Sequence, residues 1–315
     1  MPTVPRRWLI LGAEGLLGSA VADAAAADPR IHAVHRAGRA QADVTRSVEI
    51  ERLVHAVQPD VVVNAAVFTG VDPCEADPAR AYAVNTLGAR WVARACATAN
   101  ARCVYISTDY VFDGTGPDAY DETASPRPLL TYGMSKLAGE GETLNAGAGH
   151  LVVRTAALFG PPPPSDRRRA GFVEQILRRA AVGQPADVVD TLVMSPTYTV
   201  DLARMLIELL AADADGGPYH VTNEGSTTWY GLAHAAVSGL GLGALPRPSA
   251  PGADTVGPVR PAATPLTSVR LPPRVRQLNR PWRGALAEFL REHGPDAVAA
   301  ARRTVRPALP LPDAQ

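Results

Sequence analysis

The stretch "WLILGAEGLLG", Trp8 to Gly18, sets an apolar run against three glycines spaced three residues apart, and an Ala-rich segment follows. The run is a candidate strand, and the glycines allow a tight turn into a helix. Such a turn lets the backbone approach a pyrophosphate, whose charge then rests on the helix N-terminus. Gly12, Gly15, Leu16, Leu17 and Gly18 are therefore candidate phosphate-binding positions, because this pattern between a strand and a helix is the context that gives a glycine motif meaning.

Outward from that turn, short apolar runs alternate with helical patterns. Candidate strands are Trp8 to Gly12, Ile31 to His35, Val61 to Ala66, Cys103 to Ser107 and Leu151 to Thr155, with helices expected over 16–26, 47–57, 77–99 and 132–144. Continuous Val/Ile/Leu strands are buried on both faces, and strand–helix alternation gives parallel pairing through right-handed crossovers. The expected fold is α/β: a Rossmann-type, doubly wound parallel sheet with a smaller C-terminal α/β substrate-binding region. Residues 1–157 are read as the NAD(P)-binding part, and 158–304 mainly as the substrate-binding region, with some segments returning to the core.

That second region opens with "LFGPPPPSDRRRAG", Leu158 to Gly171, an exposed and mobile loop by its prolines and basic run. Helices near 172–182, 200–212 and 228–240, and strands at "ADVVD" and "PYHVT", come next. The Pro-rich "LPRPSAPGADTVGPVRPAATP" reads as irregular, and residues 305–315 as a disordered tail.

Composition narrows the partner. Lys plus Arg number 31 and Asp plus Glu 31, so the chain has no net charge and no pull towards nucleic acid or an anionic membrane. The 46% hydrophobic content supplies a sizeable core, and no run approaches the ~20 residues of a membrane span. The N-terminal apolar run is too short for a signal peptide, so a cytoplasmic location and a small-molecule partner are expected. Cys74, Cys96 and Cys103 lack metal-ligand spacing and read as core residues; no metal site is expected.

About 20 residues beyond the glycine turn, a NAD-specific site carries a carboxylate for the ribose 2′-hydroxyl. Here the segment is "VHRAGR", with His35, Arg36 and Arg39. Arginines there suit a 2′-phosphate, so NADPH is expected, with NADH as the alternative.

The fourth strand runs into "STDYVFDG", Ser107 to Gly114, and hydroxyls at the C-terminal end of a parallel strand face the ligand crevice. Tyr132 and Lys136 follow in "TYGMSK", on one face of a helix. A nearby ammonium favours the phenolate and should lower the Tyr132 pKa from its usual ~10. The phenol can then give a proton to a carbonyl oxygen as hydride arrives, while a Ser or Thr hydroxyl polarises that oxygen.

Six blocks in order, "GAEGLLG", "PDVVVNAAVFTGVDPCEADPARAYAVN", "ISTDYVFDG", "TYGMSKLAGE", "SPTYTVDLA" and "GPYHVTNEGSTTWYGLA", resemble the extended short-chain dehydrogenase/reductases. Within them the chain is most similar to the dTDP-4-dehydrorhamnose reductase family, nucleotide-sugar 4-ketoreductases. The resemblance implies Tyr132 as proton donor, Lys136 as its activator and Thr108 as the polarising hydroxyl, with Ser107 adjacent on the cofactor side. It implies that Asp43 and Val44 border adenine, that Ala65 and Ala66 pass the cofactor ribose, and that Asn85 supports the active-site strand. Val67, Asp109, Tyr110, Ala157 and Arg260 would line the sugar pocket. A nucleotide sugar is the implied substrate, and a homodimer the assembly of some members.

Three departures bear on the sugar. Ala157 in "RTAALFG" stands where relatives carry Trp, Met194 where they carry Gly, and "RPAAT" keeps Arg260 but loses an Asn. Trp to Ala widens a pocket and removes a stacking surface. The expected reaction is NADPH-dependent reduction of the C4 ketone of a dTDP-4-keto-6-deoxy sugar, either dTDP-4-dehydrorhamnose or a related deoxysugar. Two other readings stand beside it: an epimerase or dehydratase on this fold, and a non-catalytic NADP-binding regulatory subunit.

Overall fold

In the computed structural model, residues 6–116, 118–163, 170–250 and 257–304 are described. The chain begins with β1 (Arg7–Leu11), α1 (Leu16–Ala27), β2 (Ala33–Ala37), α2 (Ser47–Val57) and β3 (Val61–Asn64). The second strand lies two residues later than its apolar run suggested, because its register is set by pairing of Arg7 with Ala33 and Leu11 with Ala37. The expected helix over 77–99 is divided: α3 (Val71–Ala76), α4 (Pro78–Tyr82), a π-helical turn at Ala83–Leu87, then α5 (Gly88–Thr98). Pro78 forces the first break, since it starts a new helix capped by the Asp77 side chain on the Arg80 N–H.

The chain continues through β4 (Arg102–Thr108), a 3₁₀ turn at Asp109–Val111, α6 (Thr131–Ala146) and β5 (Leu151–Thr155). Beyond lie β6 (Leu158–Phe159), α7 (Phe172–Ala181), β7 (Asp187–Val189), β8 (Val193–Met194), β9 (Thr197–Tyr198) and α8 (Thr199–Ala211). The last elements are β10 (Gly217–His220), β11 (Thr227–Thr228), α9 (Trp229–Gly239), β12 (Arg247–Ser249), α10 (Pro273–Arg276) and α11 (Trp282–Thr304). Within the stretch read as a mobile loop, Leu158 and Phe159 form a strand against Thr197 and Tyr198, while residues 164–169 and the tail at 305–315 lie outside the described residues. The Pro-rich stretch is not wholly irregular either: β12 pairs with β7.

Six strands form one parallel sheet in the order β2-β1-β3-β4-β5-β10. The chain reverses direction of travel between β1 and β3, so the crevice at their carboxyl ends is where such a sheet takes a ligand. One face is buried under α1 and α8, with Trp8, Ile10, Val63 and Leu206 in that layer; the other packs Leu9, Val62, Val92 and Cys103 against α2 and α5. A separate apolar cluster joins α7, α9 and α11 through Leu177, Leu232, Leu286 and Phe289. The helix α11 had no place in the sequence reading, although its Trp282, Leu286, Phe289 and Leu290 follow a helical period. Among the described residues no helix is long and apolar enough to cross a membrane.

Candidate active site

At the carboxyl ends of β1, β3, β4 and β5 a cavity of about 690 Å³ opens. One end is the glycine turn. Gly12 has φ +73° and a Cβ there would come within 2.8 Å of the Ala65 and Ala66 backbone; a Cβ on Gly18 would collide with the Gly12 carbonyl. Helix α1 starts at Gly15 without a side-chain cap, so its first N–H groups are unclaimed by any capping side chain and point to the crevice. A second sign of a ligand is Thr155, whose buried hydroxyl borders the cavity with no hydrogen-bond partner. A dinucleotide fits these residues: backbone for its pyrophosphate at one end, an unpaired hydroxyl at the other.

Of the expected positions, Gly15, Leu16, Leu17, Gly18, Ala65, Val67, Ser107, Thr108, Asp109, Tyr110, Tyr132, Lys136, Ala157 and Arg260 line this one cavity. Gly12, His35, Arg36, Arg39, Asp43, Val44, Ala66 and Asn85 do not. Asn85 is buried beside it: its amide donates to the Phe68 carbonyl and to Ser135 Oγ at 3.0 Å each and accepts from the Phe68 N–H at 3.0 Å. It therefore holds the loop after β3 against α6. Ser107 lines the cavity, but its hydroxyl donates to Glu140 at 2.5 Å, and Glu140 in turn takes a bidentate ion pair from Arg154.

Around the expected 2′-phosphate position the arginines are already partnered. Arg36 pairs with Asp23 at 2.6 Å and Arg39 with Asp43 at 3.3 Å, and the Glu14 carboxylate stands over Gly38. The local sequence "VHRAGR" carries no carboxylate, yet the fold supplies three from neighbouring segments. Exposed pairs of this kind are worth at most ~1 kcal/mol, so an incoming phosphate can exchange with them.

The electrostatics of the Tyr–Lys pair differ from the expectation. Burial pushes the Tyr132 phenol up to about 12, against hydrogen bonds from Thr108 and Thr69 that pull it down, while Asp109 adds to the rise. Burial also pushes Lys136 down to about 7. Its ammonium donates to the Ile106 carbonyl at 2.5 Å and lies 3.9 Å from the centre of the Tyr105 ring. Desolvation is the leading influence on both groups, so the expected lowering of the phenol does not occur in this arrangement.

Several cavity residues were given no site role from the sequence: Thr69, Thr155, Leu192, Trp229 and Thr264. Thr264 donates to Asp109 at 2.6 Å from 155 positions away. Trp229, at the start of α9, packs edge-on against Phe172 and puts an aromatic ring into the cavity that Ala157 leaves open. Ala157 itself has φ +40°, in the left-handed region, and Met194 fills the wall beside it.

The family described as "RmlD substrate binding domain" matches residues 6–294. A dTDP-4-dehydrorhamnose reductase of Streptomyces griseus is 38% identical over 296 residues, which cover 91% of this chain and 94% of the relative. The chain belongs to the dTDP-4-dehydrorhamnose reductase family. Another relative of this reductase family, a dTDP-4-keto-6-deoxy-D-glucose reductase of Streptomyces niveus, is 36% identical over 237 residues, 75% of this chain and 79% of its own. Among solved structures, a dTDP-4-dehydrorhamnose reductase of Bacillus anthracis in complex with NADP superposes with a TM-score of 0.83 at 31% identity, covering 91% of this chain and 99% of that one.

Proposed function

We infer that the chain is an NADPH-dependent oxidoreductase that reduces the C4 ketone of a dTDP-4-keto-6-deoxy sugar. The observation that carries this is the joining of Thr108, Tyr132 and Lys136 to the glycine turn of Gly15 and Gly18 by a single cavity. The names of the two Streptomyces reductases and the NADP held by the Bacillus anthracis reductase support it.

When bound, NADPH supplies the hydride. On this reading, the chain's own groups do the rest. The backbone from Gly12 to Gly18 and the N-terminus of α1 hold the pyrophosphate, and Arg36 and Arg39 turn to the 2′-phosphate. Tyr132 donates the proton to the ketone oxygen from inside an enclosed site, where a fixed donor needs little reorganisation. Lys136 sits four residues on, along the same helix face, where a charge on it favours the phenolate left after proton transfer. Residues 1–157 then serve the cofactor, and the region 158–304 mainly the sugar, with Ala157, Met194, Leu192, Trp229 and Arg260 as its walls.

These walls suit a sugar with few hydroxyls at the face that meets Ala157 and Met194. A methyl-bearing or deoxygenated hexose leaves no polar group unpaired there, whereas a fully hydroxylated one would. For assembly and location, the reading is a homodimer in the cytoplasm, and sedimentation velocity tests the first. The reaction is tested with NADPH deuterated at the nicotinamide C4 and dTDP-4-keto-6-deoxyglucose. Deuterium at the sugar C4, read by NMR, is expected; NADPH binding without transfer to this sugar or its 3,5-epimer overturns the assignment.

A further inference from the structure

Helix α6 carries Tyr132 on its second residue, where a helix has the least internal support. The first N–H groups of any helix lack intrahelical acceptors, and α6 starts after Leu130 with no side-chain cap of its own. The missing acceptor comes from another element. Glu75, on α3 and 56 positions earlier, accepts from the Thr131 N–H through Oε1 at 2.7 Å and from the Thr131 hydroxyl through Oε2 at 2.8 Å. Both oxygens of one carboxylate thus close on the residue that precedes Tyr132.

Further along, α6 has other anchors. Asn85 donates to the Ser135 hydroxyl at 3.0 Å, the Thr86 hydroxyl to the Ser135 carbonyl at 2.7 Å, and Lys136 to the Ile106 carbonyl. These bonds hold the helix on the far side of Tyr132 from Glu75. Two points of attachment fix the line of a helix, where one leaves its end free to tilt.

The segment that carries Glu75 also belongs to the cavity. Val67, Thr69, Gly70 and Val71 line it, and Glu75 stands one helical turn after Val71. Gly70 turns the chain into α3 at φ +98°, the buried Cys74 thiol donates to the Phe68 carbonyl at 3.4 Å, and Asp72 pairs at 2.9 Å with Arg260, another cavity residue. The cavity wall after β3 and the helix that carries the phenol therefore meet through one carboxylate.

We propose, on the reductase reading above, that Glu75 is a positioning residue: by holding Thr131 it sets where the Tyr132 phenol meets the ketone oxygen. Glu75 is not among the residues that line the cavity, so its effect passes through the first turn of α6. Proton transfer is sensitive to such placement, since a shift of about 1 Å can cost about 100-fold in rate. A carboxylate suits the position, because negative charge is favourable at a helix N-terminus.

Glu75→Ala and Glu75→Gln separate positioning from folding. Glutamine keeps the contact: its amide oxygen accepts from the Thr131 N–H, and its amide nitrogen donates to the Thr131 hydroxyl oxygen. With NADPH and saturating dTDP-4-keto-6-deoxyglucose, alanine should lower kcat at least about tenfold, and glutamine should recover most of that loss. NADPH affinity, read by fluorescence titration, should move less than about twofold in either variant, because the phosphate-binding turn lies on another element. Amide exchange at Thr131 and Tyr132 reads the tether without any sugar, and alanine should speed it about tenfold while glutamine does not. A folded alanine variant with wild-type kcat, or an equal fall in alanine and glutamine, overturns the assignment. Should alanine not fold, Thr131→Val removes the hydroxyl bond and keeps the N–H; its kcat should fall and that of Thr131→Ser should not, and equal rates for the two contradict the proposal. A wild type silent with this sugar and its 3,5-epimer overturns the reductase reading and the role of Glu75 with it, a result distinct from an active wild type matched by its alanine variant.

Discussion

The Lys136 ammonium donates to the Ile106 carbonyl at 2.5 Å, which ties the middle of α6 to the strand that carries Ser107 and Thr108. The same bond buries a cation to 2% exposure. Its value falls from 10.5 to about 7, so between those pH values the unfolded chain binds more protons and stability rises with pH. This contribution is lost as pH falls through about 7. Lys136→Met should therefore raise the unfolding free energy at pH 7 by about 1–3 kcal/mol and flatten its pH dependence, while reductase activity falls by about 10²–10⁴. Urea unfolding between pH 6 and 9, alongside NADPH turnover, checks both halves.

Glu140 makes the opposite kind of buried pair. It accepts from Arg154 at 2.6 Å and from Ser107, with both ionic partners almost fully enclosed. Glu140→Ala leaves a guanidinium buried without its partner and should destabilise by about 3–5 kcal/mol. Adding Arg154→Met should recover most of that loss, and chemical denaturation of the two variants measures it.

Gly133 follows Tyr132 directly and lets α6 approach the turn at Asp109–Val111. A Cβ at this position would meet the Tyr110 carbonyl. Gly133→Ala should destabilise by about 1–3 kcal/mol and, by pushing the helix back, reduce kcat more than it raises KM. An unchanged kcat would show that the phenol tolerates the shift.

Arg36 and Arg39 now pair with Asp23 and Asp43. If they exchange these for a 2′-phosphate, Arg39→Ala should weaken NADPH by about tenfold and leave NADH nearly unchanged, a charged hydrogen bond being worth ~1.5 kcal/mol or more. Fluorescence titration of both cofactors decides. Equal weakening of both, or of neither, removes the arginine from the site.

Ala157 and Met194 line the cavity on the wall proposed to face the sugar. Ala157→Trp fills the space that Trp229 enters from the other side, and should raise KM for the nucleotide sugar by several-fold with little change in NADPH affinity. Unchanged KM would remove Ala157 from the pocket.

How much of this was legible depends on sequence distance. The Trp8–Gly18 run and the apolar strands at Val61 and Leu151 announce a parallel sheet because each pattern is local. Tyr132 and Lys136 are legible for the same reason, one helical turn apart. Their electrostatics are not, because burial governs them and is set by other elements, among them the strand whose Ile106 carbonyl and Tyr105 ring meet Lys136. Thr264 reaches Asp109 across 155 positions, and Trp229 enters the cavity from α9; no local pattern encodes either. The carboxylates beside Arg36 and Arg39 are a compact example, since Asp23 comes from α1 and Glu14 from the glycine turn itself.

On the proposed mechanism, Tyr132 delivers a proton to a sugar ketone. The most direct measurement is NADPH consumption with dTDP-4-keto-6-deoxyglucose, with and without a 3,5-epimerase, for wild type and Tyr132→Phe. Phenylalanine keeps the ring and its edge-on contact with Tyr110, so NADPH should still bind. Consumption by wild type and a loss of at least a hundredfold in the variant are expected, with the epimerase dependence showing which epimer is taken. Turnover by Tyr132→Phe at the wild-type rate would contradict it.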